Sequence, residues 1–214
     1  MTNILAVTSS TAAVGVAAAH DGVVVASEQV TTDRRHAEEL TPMVASVLTA
    51  AGWAVADVDS FAVDVGPGRF TGLRVGLATV RTLALAVEAP VVGITSLELL
   101  AADQVGAVSA VIDARRNEVF HQRFIDGIAV GDAIVGPATE MVELVEPGDT
   151  VIGDGADRYA EVYAACRCRA GREPMATTLA RLAFDRPALP GPEVVPLYLR
   201  DADVQINIKT RHNT

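Results

Sequence analysis

The segment of this chain whose residue types and spacing could do chemistry spans residues 66–74, Gly-Pro-Gly-Arg-Phe-Thr-Gly-Leu-Arg. An apolar run at 60–65 precedes it and another at 75–87 follows, so it reads as a strand end, a tight turn and a helix start. Glycine tolerates positive φ and close backbone approach, and Thr71 suits an N-cap. A helix N-terminus with unspent amides can accept an anion, which makes Gly66, Gly68, Thr71 and Gly72 the candidate anion contacts. The segment lacks the Gly-Lys-Ser/Thr of a P-loop and the spacing of a dinucleotide fingerprint, and the residues alone favour a turn over an anion site.

Other chemistry is sparse. Four histidines, His20, His36, His121 and His212, are too scattered for two to share one helical turn, so no zinc or iron set is expected. Cys166 and Cys168 stand one residue apart, point to opposite faces of an extended segment, and read as reduced thiols. No serine stands in a nucleophile elbow and no Cys–His arrangement is readable. Asp113 closes an apolar run at 108–112, where an acidic side chain is more often a turn former than a ligand. No cofactor is expected.

The chain has 214 residues, 50% apolar and 4% aromatic, with a formal net charge of −10 and a mean hydropathy of +0.31. That charge has the wrong sign for gripping phosphate backbones, so a role in a nucleic-acid pathway leaves the gripping to another molecule. The longest apolar stretch, 75–87, is interrupted by Arg81 and is too short to span a bilayer. With no basic segment at Met1-Thr2-Asn3, a cytoplasmic protein without membrane contact is expected.

The scaffold can be read from periodicity. Leu40, Met43, Val44, Val47, Leu48 and Ala51 recur at three- and four-residue spacing and predict a helix closed by Gly52, with Pro42 either opening it behind a Thr41 cap or kinking it. Residues 72–87 predict a second helix, apolar on most sides. Strands are expected at 4–7, 14–19 and 23–30, the last two joined through Asp21-Gly22, and again at 60–65 and 91–94. Runs at 108–112, 118–124 and 129–135 repeat the opening three. The turns Asp21-Gly22 and Asp126-Gly127, and the strand ends Thr8 and Asp113, share one offset of 105 residues. Equal offsets point to a duplicated unit, and the alternation of meanders and helices to an α/β fold of two lobes, 1–104 and 105–214.

The 66–74 segment resembles the signature of the TsaB family, also called YeaZ, which reads Gly-Pro-Gly-Ser-Phe-Thr-Gly-Leu-Arg; Arg69 replaces the usual serine. Residues 4–11, Ile-Leu-Ala-Val-Thr-Ser-Ser-Thr, are similar to the family opening Ile-Leu-Ala-Leu-Asp-Thr-Ser-Thr. Arg35-His36-Ala37-Glu38 with Leu40 and Pro42 resembles a family helix start, and Ser96-Leu97-Glu98 follows the strand at Gly93 as in the family. Asp113-Ala114-Arg115-Arg116-Asn117-Glu118-Val119-Phe120 is similar to Asp-Ala-Arg-Arg-Gly-Glu-Val-Tyr, and Pro196-Leu197-Tyr198-Leu199-Arg200 to a C-terminal motif. The similarity is dense to about residue 120 and sparse from there to the tail motif.

The resemblance implies an actin-like ATPase superfold of two ribonuclease-H-like lobes, the second smaller or degenerate. It also implies a non-catalytic subunit that supports a TsaD-like paralogue, with a small TsaE-like ATPase, in moving a threonylcarbamoyl group onto the N6 of the adenosine beside a tRNA anticodon. Contact with tRNA is then indirect, and the chain alone is expected to be a homodimer. Thr8 stands where the superfold usually has an aspartate that holds a metal's hydration shell; a threonine carries no charge there, so independent nucleotide hydrolysis is not expected. The His pair of the catalytic paralogue is absent from the sequence. Composition leaves open whether the apolar surface of helices 40–51 and 72–87 is covered within the chain or by a partner. The resemblance implies a partner, met by Leu40, Met43, Val44, Val47, Leu73, Gly76, Leu77, Val80 and Ala84. The rival readings are an ATP-dependent kinase or carbamoyltransferase of the same superfold, and a homodimeric scaffold for another client.

Overall fold

The computed structural model describes residues 1–32, 36–169 and 174–200. Arg35 and His212 lie outside them. The chain opens with an antiparallel meander, β1 (Asn3–Thr8), β2 (Ala13–His20) and β3 (Val23–Thr31). Helix α1 (His36–Ala51), strand β4 (Ser60–Asp64), helix α2 (Phe70–Val87), strand β5 (Val91–Ile94) and the short helix α3 (Ser96–Ala101) follow. A second meander comprises β6 (Ala107–Arg115), β7 (Glu118–Ile125) and β8 (Ile128–Pro137). After it come α4 (Ala138–Met141), β9 (Thr150–Ile152), α5 (Asp154–Arg158), β10 (Arg167–Arg169) and α6 (Ala176–Ala183).

The strands form two five-stranded sheets, β3-β2-β1-β4-β5 and β8-β7-β6-β9-β10, with one order repeated. In each, the meander is antiparallel and the last two strands are added in parallel. The hairpin turns repeat in detail. Asp21 and Gly22 have φ of 48° and 77°, Asp126 and Gly127 of 49° and 76°, the pair of positive values that tight hairpins demand and that Asp-Gly supplies. The Asp21 carboxylate accepts from the Thr2 amide at 2.7 Å and that of Asp126 from the Gly106 amide at 2.8 Å.

β1 is buried on both faces. Leu5 and Val7 point toward α1 and α2 with Leu40, Val47, Leu77 and Val80, while Ile4 and Ala6 point toward Leu179 and Ala180 of α6. Each fully buried aliphatic side chain of this kind contributes about 1.5–3 kcal/mol. α3 is a wedge between the sheets: Leu99 packs with the first, and Leu97 and Leu100 pack with Ile112 and Phe124 of the second.

Two expectations need correction, and one pair of alternatives is decided. α1 begins by His36, so of the two readings of Pro42 the one that has it inside the helix near its beginning holds, and Thr41 is not the cap. At its other end Gly52, with φ of 74°, closes the helix. α2 is capped by Arg69 with no side-chain bond, and Thr71 sits exposed in the first turn. The division into 1–104 and 105–214 does not describe the C-terminal segment. α6 crosses back to cover the first sheet, Leu189 bridges Val91, Val194 joins the first core, and the Leu197 amide donates to the Val65 carbonyl at 2.8 Å. The first sheet has two apolar faces, and α1 and α2 cover only one of them.

Candidate functional site

The 66–74 segment is built around the loop that follows β1. A Cβ on Gly68 would lie 2.2 Å from the Ser10 carbonyl oxygen, and one on Gly72 2.1 Å from that of Ser9. On Gly76 it would lie 2.2 Å from the Ser9 hydroxyl. These glycines therefore let α2 lie directly on the loop backbone. The Arg69 amide donates to the Ser10 carbonyl and the Ser9 hydroxyl to the Gly72 carbonyl at 2.8 Å. His36 closes the same junction: its Nε2 is 2.8 Å from the Thr11 carbonyl, and its ring lies against Gly72. Gly66, with φ of 89°, donates to Asp64 at 2.9 Å and accepts from the Ser96 amide at 2.8 Å. Of the anion-contact candidates, Gly68 and Gly72 thus face the chain's own loop, Gly66 a side chain and a helix start, and Thr71 solvent.

Beneath the turn lies a closed ring of oxygens. Ser10 Oγ contacts Asp64 Oδ2, Ser96 Oγ lies 2.5 Å from Asp64 Oδ1, and the two hydroxyls are 2.8 Å apart. Both serine hydroxyls donate to the Asp64 carboxyl, and the Ser96 hydroxyl also faces that of Ser10. Burial pushes this carboxyl above its ordinary range, against the lowering effect of Ser10, Ser96 and Gly66. Sequence spacing gave no sign of this ring, which joins residues far apart in the chain.

The duplicated strand ends have different fates. Thr8 Oγ1 is buried without a hydrogen-bond partner, beside Gly15. Asp113 accepts from the Arg115 amide at 2.8 Å and the Tyr159 hydroxyl at 3.1 Å, and it pairs with Arg115 at 3.4 Å and Arg158 at 3.3 Å. Its charge is taken up by protein groups.

Between the lobes is a cavity of about 680 Å³. One wall is the start of α2, with Arg69, Phe70 and Arg74; another is the β6–β7 turn, with Arg115 and Arg116; the third is the 197–200 segment. Phe70 and Tyr198 pack with ring centroids 5.5 Å apart, Arg74 lies 3.7 Å over the Phe70 ring, and its Nε donates to the Tyr198 hydroxyl at 3.2 Å.

A second buried polar group was not legible in the sequence. Ser109 donates to Asp149 at 3.1 Å and is 3.3 Å from His121 Nε2. Arg123 holds Asp149 through two bonds of 2.9 and 3.0 Å. Burial lowers the His121 pKa against the pull of Asp149. The serine stands between histidine and aspartate, so the histidine is not oriented by the acid and this is no nucleophile triad. Cys166 and Cys168 are free, and burial pushes the Cys168 thiol up.

The nine residues expected at a partner face, Leu40, Met43, Val44, Val47, Leu73, Gly76, Leu77, Val80 and Ala84, are all buried within the chain. That expectation is corrected: residues at three- and four-residue spacing are those that a helix turns to its own core. Beyond their first turns, the outward positions of the same helices are Thr41, Pro42, Ala45, Ser46, Thr49 and Ala50 on α1, and Ala78, Thr82, Leu85 and Ala86 on α2. These are uncharged; the exposed charges of the two helices, Glu38 and Arg74, lie near their starts. Arg81 turns away from the uncharged positions, donating to the carbonyls of Gly191 and Val194.

A protein-family model described as TsaD, tRNA N6-adenosine threonylcarbamoyltransferase, matches residues 22–167. YeaZ from Pseudomonas aeruginosa superposes with a TM-score of 0.80 at 30% identity, covering 93% of this chain and all of that one. This chain belongs to the TsaB/YeaZ family. The tRNA threonylcarbamoyladenosine biosynthesis protein TsaB of Escherichia coli is 38% identical over 137 residues, 60% of this chain and 59% of that protein. An uncharacterised protein of Mycobacterium tuberculosis is 38% identical over 209 residues, 96% of this chain and 95% of its own length. The TsaB/YeaZ fold is the actin-like one, and the two sheets of identical order are its repeated halves.

Proposed function

We propose that this chain is a non-catalytic subunit in tRNA threonylcarbamoyladenosine biosynthesis, holding a TsaD-like catalytic paralogue through the outward faces of α1 and α2. One observation carries the reading: α2 is long and strongly apolar, yet only 33% of it is buried, and the outward positions of α1 and α2 over residues 41–50 and 78–86 carry no charge in a chain of net charge −10. Uncharged surface of this extent is characteristic of interaction sites. Ala45, Ala50, Ala78 and Ala86 allow another helix to approach closely. A stable complex on this face would bury on the order of 1,200–2,000 Å². Without the paralogue the same face pairs with its own copy, giving a homodimer, and a TsaE-like ATPase joins the assembled pair.

The residues of the strand ends support the absence of chemistry of its own. Thr8 brings no charge to a phosphate site, and Asp113 is neutralised by two arginines. A kinase or carbamoyltransferase would need one of them to hold a metal's water shell. The test is to mix the purified chain with its TsaD-like paralogue and to assay tRNA modification with and without each. Co-elution, with modification only when both are present, is expected. Separate elution, or steady ATP hydrolysis by the chain alone, would overturn the assignment.

A further inference from the structure

We propose that the cleft between the lobes is a docking groove for an acidic, apolar peptide segment of a partner protein, one whose carboxylates flank large aliphatic or aromatic side chains. The proposal does not rest on the two-helix face. Five arginines and one aspartate line the cavity, although the whole chain carries a net charge of −10. Arg115 shares Asp113 with Arg158, Arg200 pairs with Glu118, and Asp154 acts on Arg69 and Arg115; the five guanidinium groups of the lining still outnumber these three acids. Guanidinium groups match carboxylates through paired N–H donors.

The floor selects the rest of the ligand. Leu73, Phe120, Leu197 and Leu199 are apolar, and the Phe70–Tyr198 pair makes a flat wall. A volume of about 680 Å³ accommodates a few large side chains. The glycines beside the cleft approach the Ser9–Ser10 backbone, leaving no room there for a phosphate cradle. A nucleic acid strand leaving the cleft would run along the surface of an acidic protein. A peptide with both carboxylates and apolar side chains complements charge and floor together.

The experiment is an anisotropy titration of the full chain with a fluorescein-labelled peptide in which Glu alternates with Leu and Phe. Two control peptides replace Glu by Gln, or Leu and Phe by Ser, and ATP and a short single-stranded RNA serve as competitors. Saturable binding is expected. It should weaken roughly tenfold for each control peptide and for Arg69→Glu and Arg116→Glu, and should fall as salt rises. Arg181→Glu, outside the cleft, should leave it unchanged. The two cleft variants lie on different lobes, so misfolding of one, seen as a lost thermal transition, leaves the other to decide. No saturable binding, equal binding of the Gln peptide, or displacement by ATP or RNA at lower concentration than by unlabelled peptide would each overturn the proposal.

Discussion

Ser96 Oγ lies 2.5 Å from Asp64 Oδ1, in a buried ring that pushes this carboxyl above its ordinary range. Asn at position 64 fills the same space but cannot ionise. The sign follows from the raised pKa. The native state of Asp64 holds its proton above the unfolded value, so its contribution is complete at low pH and is lost as pH rises through the folded pKa. Asp64→Asn should therefore gain stability relative to the parent as pH rises above about 4, by up to about 1.4 kcal/mol per pH unit until the folded carboxyl ionises. Thermal melts from about pH 4 upward check it; a constant offset between the two proteins refutes the raised pKa.

His121 has the opposite dependence. Burial lowers its pKa, so the unfolded chain takes up the proton first and stability falls as pH drops below about 6.5. His121→Gln should flatten the melting temperature between pH 7 and 5, while the parent declines.

The glycines of α2 should differ in cost. Gly72→Ala drives a Cβ into the Ser9 main chain and should cost at least the roughly 1–3 kcal/mol of an overpacked core. Gly76→Ala meets only the Ser9 hydroxyl, so Ser9→Ala should recover part of its loss. Urea midpoints of the single and double variants decide this.

Ala45→Glu and Ala78→Glu place a charge on the outward face of α1 and α2. Each should leave the urea midpoint within about 0.5 kcal/mol of the parent and weaken capture of the TsaD-like paralogue by roughly tenfold or more. Pull-down with both variants measures it, and unchanged capture moves the interface elsewhere.

Where the chain's chemistry is local, the sequence is transparent. Asp21-Gly22 and Asp126-Gly127 announce their turns because few other pairs accept two positive φ values, and their equal spacing gives the repeat. The core faces of α1 and α2 are legible for the same reason, but apolar periodicity marks what is buried, not what meets a partner. The better signal was the absence of Asp, Glu, Lys and Arg from residues 40–51, where even the outward positions are uncharged. Asp64, Ser10 and Ser96 could not be linked beforehand, since their meeting depends on β1, β4 and α3 converging. The return of α6 onto the first sheet was hidden because a helix of eight residues does not record which sheet it covers.

The proposed partner face lies wholly within residues 36–87, and translation delivers the N-terminal half first. On the ribosome, α1 and α2 are made before any strand of the second sheet, whereas α6, which seals the opposite side of the first sheet, is made after the last of those strands. The proposed partner face is thus present in the nascent chain while the first sheet is still bare on its other side, a state that lasts until α6 has been made.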